Sequence, residues 1–303
     1  MRYSLVNRVR GTFLGAFLGA RLADQHISHL GEMAVVGTKS LISLGRFDLE
    51  HWLKLQNQLS VGAENHQSWD KILFTTIPLA IFFHESPAKL RSGLLQLQNL
   101  WPDDPVVKDT TLILGYAIAQ SLNEKLDHQT FIPSTVEFLH QTDTQLPQIL
   151  EKVNIFVQQG KALAQVEALL AKEEPLIQSL AIALYCFLTT LEDFPLTIGR
   201  ATHLSLKQQD VRGILAGALS GAYNSSLGIP INWQILAAAT ELPTWGLSNF
   251  VEMLELADKL VAVWSGVYNL APENSAIAPT EDSISLGFTP LSIFAAPHII
   301  RPR

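Results

Sequence analysis

Apolar residues recur three and four positions apart along nearly the whole chain, the spacing of one helix face, and period-two alternation between Asn-Gly or Asp-Gly turns is absent. The pattern predicts helices over 6–24, 31–44, 48–59, 69–84, 87–100, 106–122, 133–140, 146–159, 161–171, 175–191, 194–205, 210–225, 233–240 and 247–267. Start signals agree with several of them. Pro87, Pro133 and Pro175 suit a first turn, where no backbone N–H is needed, and Asp48 and Asp210 suit N-caps. No long Gly/Ser or Pro linker divides the helices, so a single all-α domain is expected over 1–275. Beyond it, four prolines and a polar centre break the helical period in 276–303, which predicts an extended or mobile tail.

Two of the predicted helices carry an unexpected stripe. Gly213, Gly217 and Gly221 lie four residues apart in one, and Gly11, Gly15 and Gly19 repeat the spacing in the first helix of the chain. Each interior glycine costs about 1 kcal/mol relative to alanine, so packing must compensate. The simplest account is that each stripe faces a close neighbour, the other stripe being one candidate, letting backbones approach where side chains would not fit. Glycine also marks close approach of a ligand, and the spacing alone leaves that reading open.

Composition narrows the function classes. Over 303 residues, 48% hydrophobic content and 16% charged residues fit a well-buried globular protein. The net charge of −7 and the scattered Lys and Arg give no reason to expect nucleic acid. Cys186 is the single cysteine and sits in an apolar segment, so a buried structural thiol is expected in place of a disulfide, a Cys-based metal site or a nucleophile. At the N-terminus a basic start precedes an apolar run, but Arg21 and Asp24 close it early and no small-residue cleavage site follows, so it reads as a helix and not as a signal peptide. No window reaches the ~18 apolar residues of a membrane span. A soluble, cytoplasmic protein is the expectation.

The glycine helices then carry a resemblance. "RGTFLGAFLGARLAD" looks like the opening helix of the ADP-ribosylglycohydrolase family, and "SLISLGRFDLEHW" at 40–52 resembles its S-L-I-x-x-G-x-F-D element. "ILFTTIPLAIFFHESPAKL" resembles a central helix of the family. The run "PLIQSLAIALYCFLTTLEDFPLTIGRATHLSLKQQDVRGILAGALSGAYNSSLGIPINW" follows the family's last motifs in order. The four elements together extend the resemblance over 10–267. It implies a compact orthogonal multi-helix bundle with a dinuclear Mg²⁺ or Mn²⁺ site, hydrolysing the glycosidic bond between ADP-ribose and a protein side chain or small acceptor.

That chemistry requires a carboxylate cluster, since hard cations take oxygen ligands. The resemblance places the ligand pocket at Ala20, Ser28, His29, Gln208 and Asp210. Ala20 follows the third glycine where the family has Asp, Ser28 and His29 fall on its T-D-D-T segment, and its G-G-D-T-D-T falls on 206–211 with only Asp210 matching. Asp210 is therefore the one candidate catalytic residue, and no cofactor is expected. Lys207 adds a positive charge where cations would sit. Scaffold residues match while chemical ones do not, which implies a catalytically inactive member that binds an ADP-ribose-like small molecule or a protein partner.

Sharper alternatives remain. Asp24, His26, His29 and Glu32 could gather round an imidazole-binding metal, against a plain reading as a solvated loop. A rearranged hydrolase using Mg²⁺ or Mn²⁺ with Asp210, Asp24 and Glu32 is the rival function. His84 and His203 read as helix-end residues, and Tyr185, Phe187, Tyr223 and Trp233 as core. The apolar stretch of the tail, 283–300, is a third candidate, as a segment that docks on a partner.

Overall fold

The apolar periodicity resolves into helices alone among the described residues. The structure, a computed structural model, describes residues 2–23, 31–58, 68–99, 104–202, 209–239 and 245–267. The helices are α1 (Leu5–Ala23), α2 (Gly31–Leu44), α3 (Leu49–Gln58), α4 (Ser68–Phe82), α5 (Pro87–Gln98), α6 (Pro105–Leu122) and α7 (Phe131–Leu139). They continue with α8 (Leu146–Gln158), α9 (Leu163–Leu170), α10 (Pro175–Thr189), α11 (Phe194–Thr202), α12 (Gln209–Asn224), α13 (Ile231–Ala238) and α14 (Phe250–Trp264). A 3-10 turn at Ser226–Gly228 joins α12 to α13. The predicted tail, 276–303, lies outside the described residues.

The starts are set by local chemistry. Asp104 caps α6 by accepting from Val106 N and Val107 N at 2.9 and 3.2 Å, and Asn249 caps α14 through Glu252 N at 3.0 Å. Pro87, Pro105 and Pro175 open their helices. Asp48 behaves as expected, accepting from His51 N at 3.0 Å. α12 begins one residue earlier than predicted, which moves Asp210 from the capping position into the first turn.

At the centre α1 and α12 run antiparallel in close contact. α12 also packs on α6, α10 and α11, while α14 lies along α1 and bridges to α2, which continues the core through α4 to α6. Among the described residues one contiguous cluster of buried apolar side chains reaches from Val9 to Val261. Cys186 is fully buried within it, and burial pushes its thiol up to about 12, so it is the inert thiol expected. Tyr185 and Phe187 are buried core residues too, while Tyr223 and Trp233, partly covered, pack edge-on against Phe187 and Phe194 respectively.

His84 closes the far end of this arrangement. It sits in the turn after α4, 4% exposed, with its ring 4.7 Å from that of Trp264 and its Nδ1 2.7 Å from the carbonyl of Ile81. Burial holds the imidazole below its ordinary value, opposed by the bond to Ile81 and by Glu85, and reinforced by Arg8 and Lys125. The unfolded chain takes up this proton near pH 6.5 while the folded chain resists it. Stability is therefore complete above about pH 6.5 and falls as pH drops toward the lower folded value. Urea midpoints of wild type should decline over that window more steeply than those of His84→Phe, and parallel slopes would remove His84 as the cause.

Candidate functional site

The two glycine stripes face each other. A Cβ on Gly11 would run into the carbonyl of Gly221, one on Gly15 into that of Gly217, and one on Gly19 into that of Gly213, with the reverse true from α12. The antiparallel register fixes which ends meet. The C-terminal end of α1, with Ala20 directly after Gly19, comes against the first turns of α12, where Gln209 and Asp210 lie.

A second contact brings α2 to the same end. The indole of Trp245 lies so close over Gly31, the first residue of α2, that a Cβ there would meet the ring. Its ring packs edge-on against Phe17 of α1 at 5.9 Å and against Phe74 of α4 at 5.4 Å. Next to it Gly246 has φ of +63°, and a Cβ there would stand 3.3 Å from Cγ of Glu32, so glycine is required for conformation and space alike. One end of the central pair therefore brings Ala20 to the backbone of the first turn of α12, and Trp245 ties the start of α2 to Phe17 of α1. α12 begins beside Ala20, and the partial positive charge of a helix start favours an anion over a bare cation.

Of the residues singled out from the sequence, Asp24, His26, Ser28, His29, His203 and Gln208 lie outside the described residues. Ala20 is buried hydrocarbon at 5% exposure, and Val211, which stands where the resembling motif has Thr, is likewise buried at 2%. Among the described residues no three His, Cys, Asp or Glu side chains come together in a metal-holding group. A dinuclear Mg²⁺ or Mn²⁺ site needs six or so oxygen ligands per ion, and most positions that the resemblance assigns to them, 28, 29 and 208, are among those outside the described residues. Trp245 adds a donor of another kind, a fully buried indole N–H without a hydrogen-bond partner among the described residues.

Two buried cations escaped the sequence reading. Arg8 on α1 is 2% exposed and faces Glu124 at 3.4 Å, and Arg212 on α12 is wholly buried with Nη1 3.5 Å from Glu167 Oε1 on α9. Burial lowers the pKa of Arg212 and raises that of Glu167, each partly offset by the other's charge. The signal was present. Arg212 is followed at three, four and seven positions by Leu215, Ala216 and Leu219, all fully buried, so it stands on an apolar stripe. About 200° of helix rotation separates positions 210 and 212, and Arg212 turns to Glu167 on α9.

Comparison with known proteins agrees with this architecture. The model of the ADP-ribosylglycohydrolase family matches residues 24–269. No curated protein matches the sequence. A solved structure of an "ADP-ribosylglycohydrolase-related protein complex" is similar in fold with a TM-score of 0.62 and 18% identity, over 86% of this chain and 99% of that one. No described helix is long and apolar enough to cross a membrane. α1 precedes the matched residues, and its glycine contact with α12 makes it part of the same packed unit.

Proposed function

We propose, on the premise that this chain belongs to the ADP-ribosylglycohydrolase family, that it is a non-catalytic member with a ligand- or protein-binding regulatory role in the cytoplasm. The observation that carries the reading is the glycine ladder itself, intact through its three steps and ending in the buried methyl group of Ala20. Packing has kept every glycine, while the position that the family resemblance assigns to a metal-binding carboxylate has become hydrocarbon. With neutral residues in place of carboxylates, two adjacent divalent cations would repel each other without compensation. What the described residues supply for recognition is the backbone N–H groups of the first turn of α12, beside Ala20. An anionic, ring-bearing ligand such as ADP-ribose is the small molecule that these groups would take.

The rival reading, a hydrolase rebuilt around Asp210, Asp24 and Glu32, is favoured by one observation, that Asp210 lies in the first turn of α12, at the end where Gly213 meets Gly19. Calorimetric titration of the metal-stripped protein with Mn²⁺ separates the two. Binding weaker than about 0.1 mM, or ~5 kcal/mol, is expected, together with no turnover of ADP-ribosyl-arginine in Mg²⁺ or Mn²⁺. Sustained turnover that disappears in Asp210→Ala would overturn the non-catalytic reading. Ligand recognition has its own test, because ADP-ribose at a hundred times its Kd should raise stability by about 2.7 kcal/mol.

A further inference from the structure

Arg212 is wholly buried, and none of its three guanidinium nitrogens makes a hydrogen bond among the described residues. A buried donor is costly to leave unmade, and a buried charge more so. The carboxylate of Glu167 stands 3.5 Å away without bonding to it, and Glu167 Oε1 is itself buried without a hydrogen-bond partner. The backbone of α9 sets that separation. Val166 and Leu170 are its buried anchors, and Glu167, directly after Val166, stops short of the fork-to-fork geometry that an Arg–carboxylate pair prefers.

Positive charge is in surplus here. Burial pushes the Cys186 thiol up, and the charges that act on it are those of Arg200, Glu167 and Arg212, so two guanidinium groups share this neighbourhood with one carboxylate. Arg200, half-buried on α11, lies over the Tyr185 ring at 5.5 Å and donates to Thr189 Oγ1 at 3.0 Å. A ring face and a hydroxyl hold it without neutralising it. Glu167, in turn, has a way out. Its side chain is 14% exposed, and its neighbours three before and four after on α9 are the exposed Ala164 and Ala171, so the carboxylate meets only methyl groups as it swings to water.

We propose that Arg212 is the receptor for an oxyanion, the carboxylate or phosphate group of a small molecule, which takes the place of the Glu167 head group as that side chain turns outward. A free oxyanion can orient to the planar fork and bond the nitrogens that Glu167 leaves unmade. Glu167 regains its hydration in the exchange, and one negative charge still faces Arg212. Stability by itself gives little use for a buried cation that makes no bonds. The site faces α9 and stands independently of the ADP-ribose reading, which concerns the groups beside Ala20.

The test compares urea midpoints of the full chain in sodium chloride, acetate and phosphate at pH 7 and equal ionic strength. For wild type, acetate or phosphate should raise the midpoint by about 0.3 M or more over chloride, because binding to the folded state stabilises it. Arg212→Met should lose that increment, and Glu167→Gln, which removes the competing charge, should at least double it. A gain in acetate alone identifies a carboxylate ligand, and a gain in phosphate alone a phosphate. Equal increments in wild type and Arg212→Met would overturn the proposal, since they would report only the general exclusion of such salts from protein surfaces. So would a gain confined to Glu167→Gln, which would mean that the anion fills a gap made by the substitution. If either variant fails to fold, the remaining one still decides against wild type, because the two are expected to shift the increment in opposite directions.

Discussion

Gly15→Ala should destabilise the protein by about 3 kcal/mol or more, although the same change in an exposed helix adds up to about 1 kcal/mol of helix propensity. The new methyl group would meet backbone on every side: the Gly217 carbonyl, with its carbon at 2.9 Å, and Gly221 Cα at 3.2 Å. Neither is the flexible end of a side chain, so α1 and α12 must separate and lose contact along their length. A matched control lies in α11, where Gly199 is exposed and a Cβ would find nothing within 4 Å. Gly199→Ala should therefore stabilise by up to about 1 kcal/mol, and the two changes should have opposite signs in urea unfolding. The Gly15 variant should also melt some 6–12 °C lower. A Gly15→Ala protein as stable as wild type would mean that the helices are not in backbone contact.

The ladder also explains what could be read ahead of the structure. Each stripe repeats glycine at four residues, and a stripe so costly in propensity has few uses besides close approach, so close packing was visible in the sequence while the partner of each stripe comes from the structure. The helices were legible for a similar reason: each buries a face of period 3.6, and prolines and Asp or Asn caps mark several of the starts. The boundaries that moved, such as α14 starting at Phe250 and not at 247, lie where a cap decides. Asn249 accepts from Glu252 N there and fixes the first turn, which apolar spacing cannot report.

The candidate site was legible only as a set of substitutions. Ala20 and Asp210 could be placed by register against a family motif, but the tie between α1 and the start of α2 depends on Trp245, which no local pattern singled out. Trp245 is distant in sequence from both Phe17 and Phe74, and long-range ring packing leaves no periodic trace. The buried arginines were missed through a different habit. A cation on an otherwise apolar stripe reads as a chance surface residue unless its partner is known, and Glu167 lies on α9, two helices before the α11 that precedes α12.

That pair gives the second large effect, and an asymmetric one. Glu167→Gln should cost about 3–5 kcal/mol, because it leaves a wholly buried guanidinium without a countercharge. Arg212→Met should change stability by less than about 1 kcal/mol in either direction. The geometry explains the difference. At 3.5 Å the pair is joined by charge without a hydrogen bond, and none of the three guanidinium nitrogens has a hydrogen-bond partner among the described residues, so attraction offsets only part of the cost of burying Arg212. Methionine would instead meet the apolar surfaces of Leu215, Ala216 and Leu219. Glu167, left alone, keeps 14% of its side chain exposed and can turn to water, an escape that Arg212 lacks. In the Arg212→Met background, Glu167→Gln should then be nearly silent, and that non-additivity, measured by urea unfolding at neutral pH, is the signature of an uncompensated buried charge. If Arg212→Met proves the more costly change, the pair is net attractive and the buried cation is a stabilising part of the α9–α12 contact.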